Sequence, residues 1–533
     1  MDTGFGMTDA IVIGAGPNGL VAANLLADAG WDVLVLEANP EIGGAVRSAE
    51  DVTDGFVHDT FSSFYPLAAV SPTLRALDLG KWGLEWSHAP APVGNPLREG
   101  GWALVHADPD ETAAALDAAA PGDGDAWLEL YADWRRIERA MIGLLLDPFP
   151  PVRSGSSFAL RLLGRNGLAR IRLLASSVRA LGERHFRGDA ARMLFATNAQ
   201  HADIPPDGAG SALMGWLLVM IAQQYGYPVP RGGAGRLSRA LADRFRSLGG
   251  TIVCDERVSS IEVRDGRATG VLAGRRYEAR RAILADVSAP ALYGDLLSAD
   301  VVPARVERAM RGFTWDPATV KVDWALNSPI PWRDRPAKAP GTVHIADSVD
   351  ALTIAAAQIA AGVVPTHPFL LMGQMTTADP TRSPKGTESV WAYTHVPQEI
   401  RDDPAFSGRW DADDAERFAD RMQDQVERYA PGFEGRILNR RVLSPPELER
   451  RNANLVRGAV NGGTAALHQQ LVFRPMPGSG RSETPIKSLY LASASAHPGG
   501  GVHGAPGTNA ARAALFHSRL RRHRVRTSPP ARS

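Results

Sequence analysis

The segment "DAIVIGAGPNGLVAA" near the amino terminus constrains the fold of this chain more than any other feature. An apolar run directly precedes the glycines at 14, 16 and 19. A helical pattern follows to Gly30, and a second apolar run, "VLVLE", ends at Glu37. This is the order of a dinucleotide-binding βαβ unit, whose glycines let the backbone turn and approach a pyrophosphate. A carboxylate at Glu37 accepts the ribose hydroxyls and repels a 2′-phosphate. The segment therefore predicts a dinucleotide site that disfavours NADP, rather than an ordinary glycine-rich turn.

A second glycine-rich element stands near the carboxyl terminus, in the run "LYLASASAHPGGGVHGAPGTNAARAAL". Five of the nine residues from Gly499 to Gly507 are glycine, which costs backbone entropy unless the chain must pass very close to another group. An apolar strand pattern precedes this run and strong helix formers follow it. The run predicts a second strand-turn-helix cradle, whose helix N-terminus favours negative charge.

Length and composition limit the remaining possibilities. A chain of 533 residues exceeds the size of a single core, so two or more domains are expected. The 58 basic residues equal the 58 acidic residues in number, which gives no global reason to expect nucleic acid. The single thiol, Cys254, excludes disulfide-exchange chemistry and a cysteine-based zinc site. No metal-ligand, Ser/His/Asp or paired-carboxylate spacing is found, and no metal is predicted.

The sequence predicts neither a signal peptide nor a membrane-spanning segment. The start "MDTGFGMT" has neither a basic nor an apolar signal region. The longest apolar run, from Ala212 to Ala222, is about half the length that spans a bilayer. The expected location is the cytoplasm.

The residues after Glu37 connect the chain to a known family. "GGAVRS", from Gly43 to Ser48, and "GFVHDTF" follow the acid, and a glycine pair there is characteristic of FAD folds. With these motifs the sequence resembles the phytoene desaturase flavoprotein family of carotenoid desaturases and isomerases. It is most similar to the branch that contains the β-carotene ketolases and pyridine nucleotide-disulphide oxidoreductase domain-containing protein 2. The pieces "HIADSVDALTIAAAQIAAGVVP" and "SPPELERRN" extend the resemblance over most of the chain.

The resemblance implies an α/β fold with two interleaved domains. A Rossmann-like FAD-binding domain of the glutathione-reductase type, similar to amine oxidases and desaturases, is expected over 1–76, 228–298 and 447–524. An α+β substrate domain with a helical lid is expected over 77–227 and 299–446, followed by a disordered basic tail at 525–533. Local patterns predict a helix from about Leu237 to Leu248, a hairpin at Asp265-Gly266, half-buried strands in 314–327 and 387–397, and an amphipathic helix in "DADDAERFADRMQDQVERYAPGF".

The resemblance also implies which positions contact FAD. The N–H groups around 502–505 would face N1 and O2 of the flavin, and the backbone at Val258 would face the adenine. Relatives carry an arginine where this chain has Ala45, and a glycine where it has Ser493; Arg47 is either a cofactor contact or a solvated side chain. The implied positions are Gly14, Ala15, Gly16, Pro17, Asn18, Gly19, Glu37, Ala38, Gly43, Gly44, Ala45, Arg47, Val258, Ser493, Gly501, Val502, His503, Gly504 and Ala505.

Three side chains are candidates for assisting chemistry at the flavin. Lys321 interrupts an apolar strand; it either points to solvent or, if desolvated, acts as a base or holds a water near N5. His497 and His503 flank the second glycine run, and each either titrates near the ring or bonds to backbone as a structural residue. The catalytic residues are otherwise unknown.

The predicted function is hydride abstraction by FAD from a large apolar, carotenoid-like or isoprenoid-like substrate. An amine-oxidase-like enzyme that uses oxygen is the first alternative, and a flavin-binding regulatory or interaction protein is the second. The segment from Arg153 to Arg187 carries eight arginines and one acid among apolar residues. Such a basic amphipathic helix either lies on an anionic membrane as a peripheral contact or forms a lid with its arginines in solvent.

Overall fold

The computed structural model describes residues 6–162, 167–401 and 403–527. Most of its strands belong to two large sheets. The strands in chain order are β1 (Thr8–Ile13), β2 (Val33–Leu36), β3 (Ser48–Ala49), β4 (His58–Asp59), β5 (Trp86–Ser87), β6 (Ala91–Pro96), β7 (Trp102–Val105), β8 (Val229–Pro230), β9 (Thr251–Val253), β10 (Ser260–Arg264), β11 (Arg267–Leu272), β12 (Arg276–Ala285), β13 (Ala318–Leu326), β14 (Pro340–Ile345), β15 (Leu370–Gln374), β16 (Glu388–Val396), β17 (Ile437–Leu443) and β18 (Leu489–Leu491).

Helices pack against both large sheets. They are α1 (Pro17–Asp28), α2 (Pro66–Val70), α3 (Pro72–Ala76), α4 (Pro109–Ala119), α5 (Asp123–Leu146), α6 (Val152–Leu162), α7 (Gly167–Ala175), α8 (Val178–His185), α9 (Asp189–His201), α10 (Ser211–Tyr225), α11 (Gly235–Ser247), α12 (Ala289–Ala291), α13 (Ala304–Arg311), α14 (Val349–Ala361), α15 (Met375–Ala378), α16 (Ala412–Glu427), α17 (Pro445–Arg451) and α18 (Ala505–Thr527).

The first sheet is a doubly wound parallel sheet with a hairpin attached. Strand β1 lies between β12 and β2, β2 pairs with β9, and β12 pairs with β18, all in parallel. Hairpin β10–β11 turns at Asp265 and Gly266, as the sequence predicts, and continues the sheet from the start of β12 in antiparallel pairing. Alternate residues of β1 enter two different apolar cores, because helices or connecting segments cover both faces of a parallel sheet.

The second sheet is mainly antiparallel, in the order β17-β13-β16-β15-β14-β6-β7. Its strands come from 77–227 and 299–446, whereas those of the first sheet come from 1–76, 228–298 and 447–524. Two predicted elements are confirmed here: the amphipathic helix is α16, and the helix predicted near 237–248 is α11.

The prediction that β13 and β16 are half-buried is wrong. All nine residues of β13 are buried, and so are eight of the nine residues of β16. One face packs with α16 in a core around Trp324 and Phe418, while the other face turns toward β4 and the layer of α5, α9 and α10. Polar residues on that second face give the alternation that resembles solvent exposure.

The basic segment is not one helix. It forms α6, α7 and α8, with residues 163–166 outside the described part, and Ser177 begins α8 by accepting a hydrogen bond from the N–H of Ala180 at 3.2 Å. Its apolar side chains Val152, Leu160 and Ile171 are exposed. No helix in the described part of the chain has the length and apolar composition to cross a bilayer.

The carboxyl-terminal helix is longer than the sequence predicts. Helix α18 continues to Thr527, so the first three residues of the tail predicted as disordered are helical. The remainder of that tail, 528–533, lies outside the described residues.

Candidate active site

The two glycine-rich elements meet at the carboxyl ends of the parallel strands. Gly16 caps α1 without any side chain, and a Cβ atom on Gly19 would lie 2.1 Å from the carbonyl oxygen of Gly14. A Cβ on Gly507, in the first turn of α18, would lie 1.9 Å from the carbonyl oxygen of Asn18. Helices α1 and α18 therefore begin in direct backbone contact, and their N-termini create one region of positive potential.

Two buried carboxylates stand at this edge of the sheet. Glu37 ends β2 as predicted, and its carboxylate accepts hydrogen bonds from the N–H of Ala15 at 2.7 Å and of Asn39 at 2.9 Å. Asp286, which sequence analysis missed, follows β12 and accepts from the N–H of Gly19 at 2.8 Å. Burial, with a smaller contribution from Glu37, raises the pKa of Asp286 to about 7. Like Glu37, Asp286 directly follows an apolar strand, and this pattern in "AILAD" could have identified it from the sequence.

The segment after Glu37 closes over the first cradle. Gly44 has φ +55°, and a Cβ on it would lie 3.0 Å from the Cα of Gly16. Arg47 donates from Nη2 to the carbonyl of Arg451 at 3.0 Å, and its guanidinium lies 5.4 Å from the ring centroid of Phe61. Its Nε is buried without a hydrogen-bond partner among the described residues. Arg47 is therefore not simply solvated, and it keeps one donor for an anionic group.

His503 begins α18 as a structural residue. Its Nδ1 accepts a hydrogen bond from the N–H of Ala505 at 3.1 Å, so the proton is on Nε2, which donates to the carbonyl of Gly500 at 3.2 Å. The hydroxyl of Ser71 donates to the His503 carbonyl at 2.7 Å. Burial lowers the pKa of His503 to about 4. The ring is neutral near pH 7, and it caps the helix.

His497 is also held by backbone. Its Nε2 lies 3.2 Å from the carbonyl oxygen of Asp147, its ring packs edge-on against Phe149, and burial lowers its pKa. The neighbouring Arg474, which sequence analysis missed, is fully buried and donates to the carbonyls of Asn461, Gly463, Thr464 and Ala494. These bonds fix the loop beneath the second glycine run.

Lys321 is buried, so the interpretation that it points to solvent is wrong. Its Nζ donates to the carbonyl of Asp59 at 2.9 Å and forms an ion pair with Asp323. Burial lowers the pKa of Lys321. Asp323 is also paired with Arg441 at 2.7 Å, which with Lys321 lowers its pKa although burial alone would raise it. Asp323, two residues along the same strand, compensates the charge, whereas the Asp59 carbonyl and Arg441 come from segments distant in sequence.

The face of the second sheet beside Lys321 is aromatic. Trp391 and Tyr393 are stacked, with centroids 5.9 Å apart and planes inclined by 11°, and the Nζ of Lys321 lies 5.9 Å from the centroid of Trp391. Farther along β16, His395 forms an ion pair with Asp203. Sequence analysis missed these residues, although "WAYTH" places the three rings on one face of a strand.

The remaining predicted contacts are divided between the two ends of the cradle. The N–H of Glu256 donates to the carbonyl of Glu37 at 2.8 Å, which brings the segment before Val258 to the end of β2. Ser493 is buried after β18, and its hydroxyl accepts from the N–H of Ser495 at 3.2 Å. Pro17 begins α1, Ala38, Gly43 and Ala45 lie between β2 and β3, and Gly501, Val502 and Gly504 lie between β18 and α18.

These groups fit FAD. The first cradle offers close backbone approach, a helix N-terminus and an arginine donor for a pyrophosphate, with Glu37 beside it for a ribose. The second cradle adds the N-terminus of α18, where negative charge is stabilised. A cofactor with an adenosine end and an anion-forming redox end matches this donor set.

The model of the family described as "Flavin containing amine oxidoreductase" matches residues 18–515 of the chain. The chain belongs to the flavin-containing amine oxidoreductase family. It is thus a flavin-dependent oxidoreductase with FAD as its cofactor, in agreement with the cradle geometry and with the predicted fold class.

Members similar to this one include carotenoid enzymes. Pyridine nucleotide-disulfide oxidoreductase domain-containing protein 2 of Mus musculus is 29% identical, over 94% of this chain and 92% of that protein. Phytoene desaturase (lycopene-forming) of Pseudescherichia vulneris is 26% identical, over 96% and 99%. The crystal structure of an oxidoreductase from Methanosarcina mazei superimposes with a TM-score of 0.61 at 16% identity, covering 95% of this chain and 99% of that one. The predicted family is confirmed.

Proposed function

We propose that this oxidoreductase abstracts hydride from a large apolar, isoprenoid-like or carotenoid-like substrate. The observation that carries the proposal is a set of apolar side chains that pack against the core of the helical layer while remaining only partly buried. Leu67 in this set lies beside the second glycine run, and Phe64 and Tyr393 lie beside Trp391 on the aromatic face of the second sheet. The set includes Phe64, Leu67, Leu144, Leu145, Leu213, Met214 and Tyr393.

The position of these side chains supports a substrate path. A Cβ on Gly501 would lie 2.7 Å from Leu67, and Phe64 lies 6.2 Å from Trp391 between ring centroids. Apolar side chains therefore lie both at the second glycine run and beside Trp391. Phe64 and Tyr393 keep part of their surface accessible; aromatic rings stack against conjugated or branched hydrocarbons, and an apolar lining excludes water from the reacting carbons. The name of the relative that forms lycopene agrees with such a substrate.

Bound FAD supplies a hydride acceptor at N5. The residues of the chain then have three roles in the proposal. The N-terminus of α18 and the loop N–H groups at 502–505 stabilise negative charge on the reduced ring. The aromatic face orients the substrate. Lys321 lies between the Asp59 carbonyl and Asp323, beside Trp391. It is the candidate for positioning a water through an N–H of Nζ, or for accepting a proton in its neutral form, which burial favours.

The individual FAD contacts belong to the same proposal. Glu37 would hold the adenosine ribose, the backbone at Val258 would contact the adenine, and the unpaired Nε of Arg47 would donate to the pyrophosphate. His503 acts by capping α18 and not by titration, and His497 positions the loop through Asp147. Ser493 stands at the ribityl end, where its hydroxyl offers one more hydrogen bond.

The basic segment supports a peripheral membrane contact. Helices α6 and α7 expose Val152, Leu160 and Ile171 next to the exposed arginines 153 and 172, and a surface of that kind binds anionic bilayers. An isoprenoid substrate dissolves in the bilayer, so the contact would bring the enzyme to it. We place the protein in the cytoplasm, at the membrane surface when it acts.

The test is product analysis with a carotenoid precursor. Purified holoenzyme is incubated with phytoene in anionic liposomes under a quinone or oxygen acceptor, and the extract is examined for products with more conjugated double bonds. Such products support the proposal. Peroxide released from amines, with phytoene unchanged, would establish the amine-oxidase alternative instead. Reducible FAD without turnover of either class would favour a regulatory flavoprotein.

A further inference from the structure

Two arginine side chains converge on one hydroxyl group at the amino end of β18. The hydroxyl oxygen of Ser488 accepts hydrogen bonds from Nη1 of Arg267 at 2.7 Å and from Nη1 of Arg521 at 2.8 Å. Arg267 begins β11, Arg521 lies in α18, and Ser488 directly precedes β18. The glycine-rich cradles lie at the opposite, carboxyl ends of the parallel strands, so this group is separate from them.

The two guanidinium groups carry like charges without a carboxylate partner. Within the described residues, neither Arg267 nor Arg521 forms an ion pair, and the nearby Glu483 lies 3.8 Å from Nε2 of His517 instead. Burial and the positive charge of Arg267 lower the pKa of Arg521. Like charges held on one oxygen atom repel each other, so an anion beside the pair would stabilise it.

Ser488 also keeps a hydrogen-bond donor. A hydroxyl has two lone pairs and one proton. The two arginines use both lone pairs, and the proton has no acceptor among the described residues. Ser488 is only 5% exposed, and a buried polar group left unpaired is unfavourable. An acceptor placed beside both guanidinium groups would satisfy this donor.

The arginines are open to a ligand from solvent. Arg267 and Arg521 both keep part of their surface accessible. Nε and Nη2 of Arg267 and Nε of Arg521 have no partner in the described part of the chain and are not enclosed. The exposed Lys487 adds a third positive charge next to Ser488 in the chain. The cluster therefore offers open cationic donors at the surface.

The backbone holds the serine hydroxyl in place. Ser488 has φ +66°, a conformation that costs energy for a residue other than glycine. Its carbonyl accepts a hydrogen bond from the N–H of Ile283 at 2.8 Å, and the N–H of Lys487 donates to the carbonyl of Gly266 at 2.9 Å. These bonds tie the serine to β12 and to the hairpin that carries Arg267, so its position is fixed before a ligand binds.

We propose that Arg267, Arg521 and Ser488 bind a phosphate group, at a site distinct from the FAD cradles. A phosphate monoester has three terminal oxygens and up to two negative charges, which suit both guanidinium groups and the serine hydroxyl. A carboxylate has only two oxygens, and one arginine fork satisfies both. Soluble phosphate esters and the headgroup of phosphatidic acid share this chemistry. The inference does not depend on the substrate of the oxidoreductase.

Calorimetric titration of FAD-loaded holoenzyme with inorganic phosphate, at constant ionic strength, tests the site while the cofactor occupies the cradles. We expect Arg267→Met/Arg521→Met to bind phosphate about a hundredfold more weakly than wild type, because charge-assisted hydrogen bonds are lost from both guanidinium groups. The control Arg264→Met/Arg519→Met removes two arginines from the same hairpin and the same helix, and it should bind as wild type does.

Ser488→Gly isolates the contribution of the hydroxyl. Both arginines remain, and φ +66° suits glycine, so the variant should fold and bind phosphate about tenfold more weakly. Absence of phosphate binding by the wild type, equal affinities of the two double variants, or unchanged affinity in Ser488→Gly would each overturn the proposal. Arginine-dependent binding of glycerol 3-phosphate assigns a soluble ligand, and arginine-dependent binding of phosphatidic acid vesicles alone assigns a lipid headgroup.

Discussion

Nδ1 of His503 accepts a hydrogen bond from the N–H of Ala505 at 3.1 Å, so an imidazole ring caps the N-terminus of α18. The arrangement assigns a helix-capping role to a histidine that has the sequence context of an acid-base catalyst. Its neutral ring adds no charge to a region where the helix N-terminus already supplies positive potential.

His503→Ala tests this role. Loss of the cap should lower the free energy of unfolding by about 1–2 kcal/mol, measured by denaturant titration of the holoenzyme. Any ionisation that the wild-type pH profile of flavin reduction shows between about pH 5 and 8 should remain in the variant, because the pKa of His503 is about 4. His468→Ala, at an exposed histidine, is the control. Disappearance of an ionisation near neutrality would show that the ring titrates during turnover.

Lys321→Met separates charge balance from chemistry. The variant leaves Asp323 with Arg441 alone, and breaking a buried pair costs about 3–5 kcal/mol. Lys321→Met/Asp323→Leu should recover part of that stability, while the slow flavin reduction expected of the single variant should persist. Lys385→Met, at an exposed lysine, serves as the control. Recovery of the rate together with stability would mean that Lys321 has only a structural role.

Asp286→Asn should make stability less dependent on pH. Folding raises the pKa of Asp286 from 3.8 to about 7, so the protonated carboxyl stabilises the fold and this contribution is lost as the pH rises through about 7. At about pH 8 the variant should be more stable than wild type by up to about 4 kcal/mol, with little difference near pH 4. Thermal unfolding of holoprotein across this range checks it, with exposed Asp295→Asn as control.

Gly19→Ala should abolish tight FAD binding. The added methyl would lie 2.1 Å from the carbonyl of Gly14, so the turn between β1 and α1 must open. Gly80→Ala is the matched control, because a Cβ there meets nothing within 4 Å. Equilibrium dialysis with FAD measures both. Unchanged affinity in Gly19→Ala would show that this turn does not approach the cofactor.

Arg153→Ala/Arg172→Ala tests the membrane contact. Each arginine near an anionic surface contributes about 1 kcal/mol, so the double variant should bind phosphatidylserine vesicles about thirtyfold more weakly in sedimentation. Arg409→Ala/Arg481→Ala, which removes two exposed arginines elsewhere, should bind as wild type does. Equal binding by all three proteins would contradict the contact.

The sequence predicts the parts of the site that depend on local chain geometry. Gly19 is needed by its own turn, and Glu37 follows directly from the end of a strand, so each leaves a local pattern. The surroundings of Lys321 are different, because Asp59 contacts Lys321 and Arg441 contacts its partner Asp323 from two segments far from β13. Its burial depends on how the two sheets meet, and this is a property of tertiary packing.

Polar residues on a covered strand face are the other source of error. Thr319, Lys321 and Asp323 alternate with apolar residues in β13 and resemble a solvated face. They are buried because the FAD-binding part and the helical layer lie against them. The same packing buries His344 and Asn95, which bond to Thr197 in a distant helix.

Anaerobic titration of the purified holoenzyme tests the central claim most directly. The visible absorption of bound FAD is followed while a panel of isoprenoids, and separately a panel of amines, is added without oxygen. We predict that at least one isoprenoid bleaches the flavin within seconds to minutes, and that the amines leave it oxidised. Bleaching by amines alone, or by neither panel, would contradict hydride transfer from an apolar substrate.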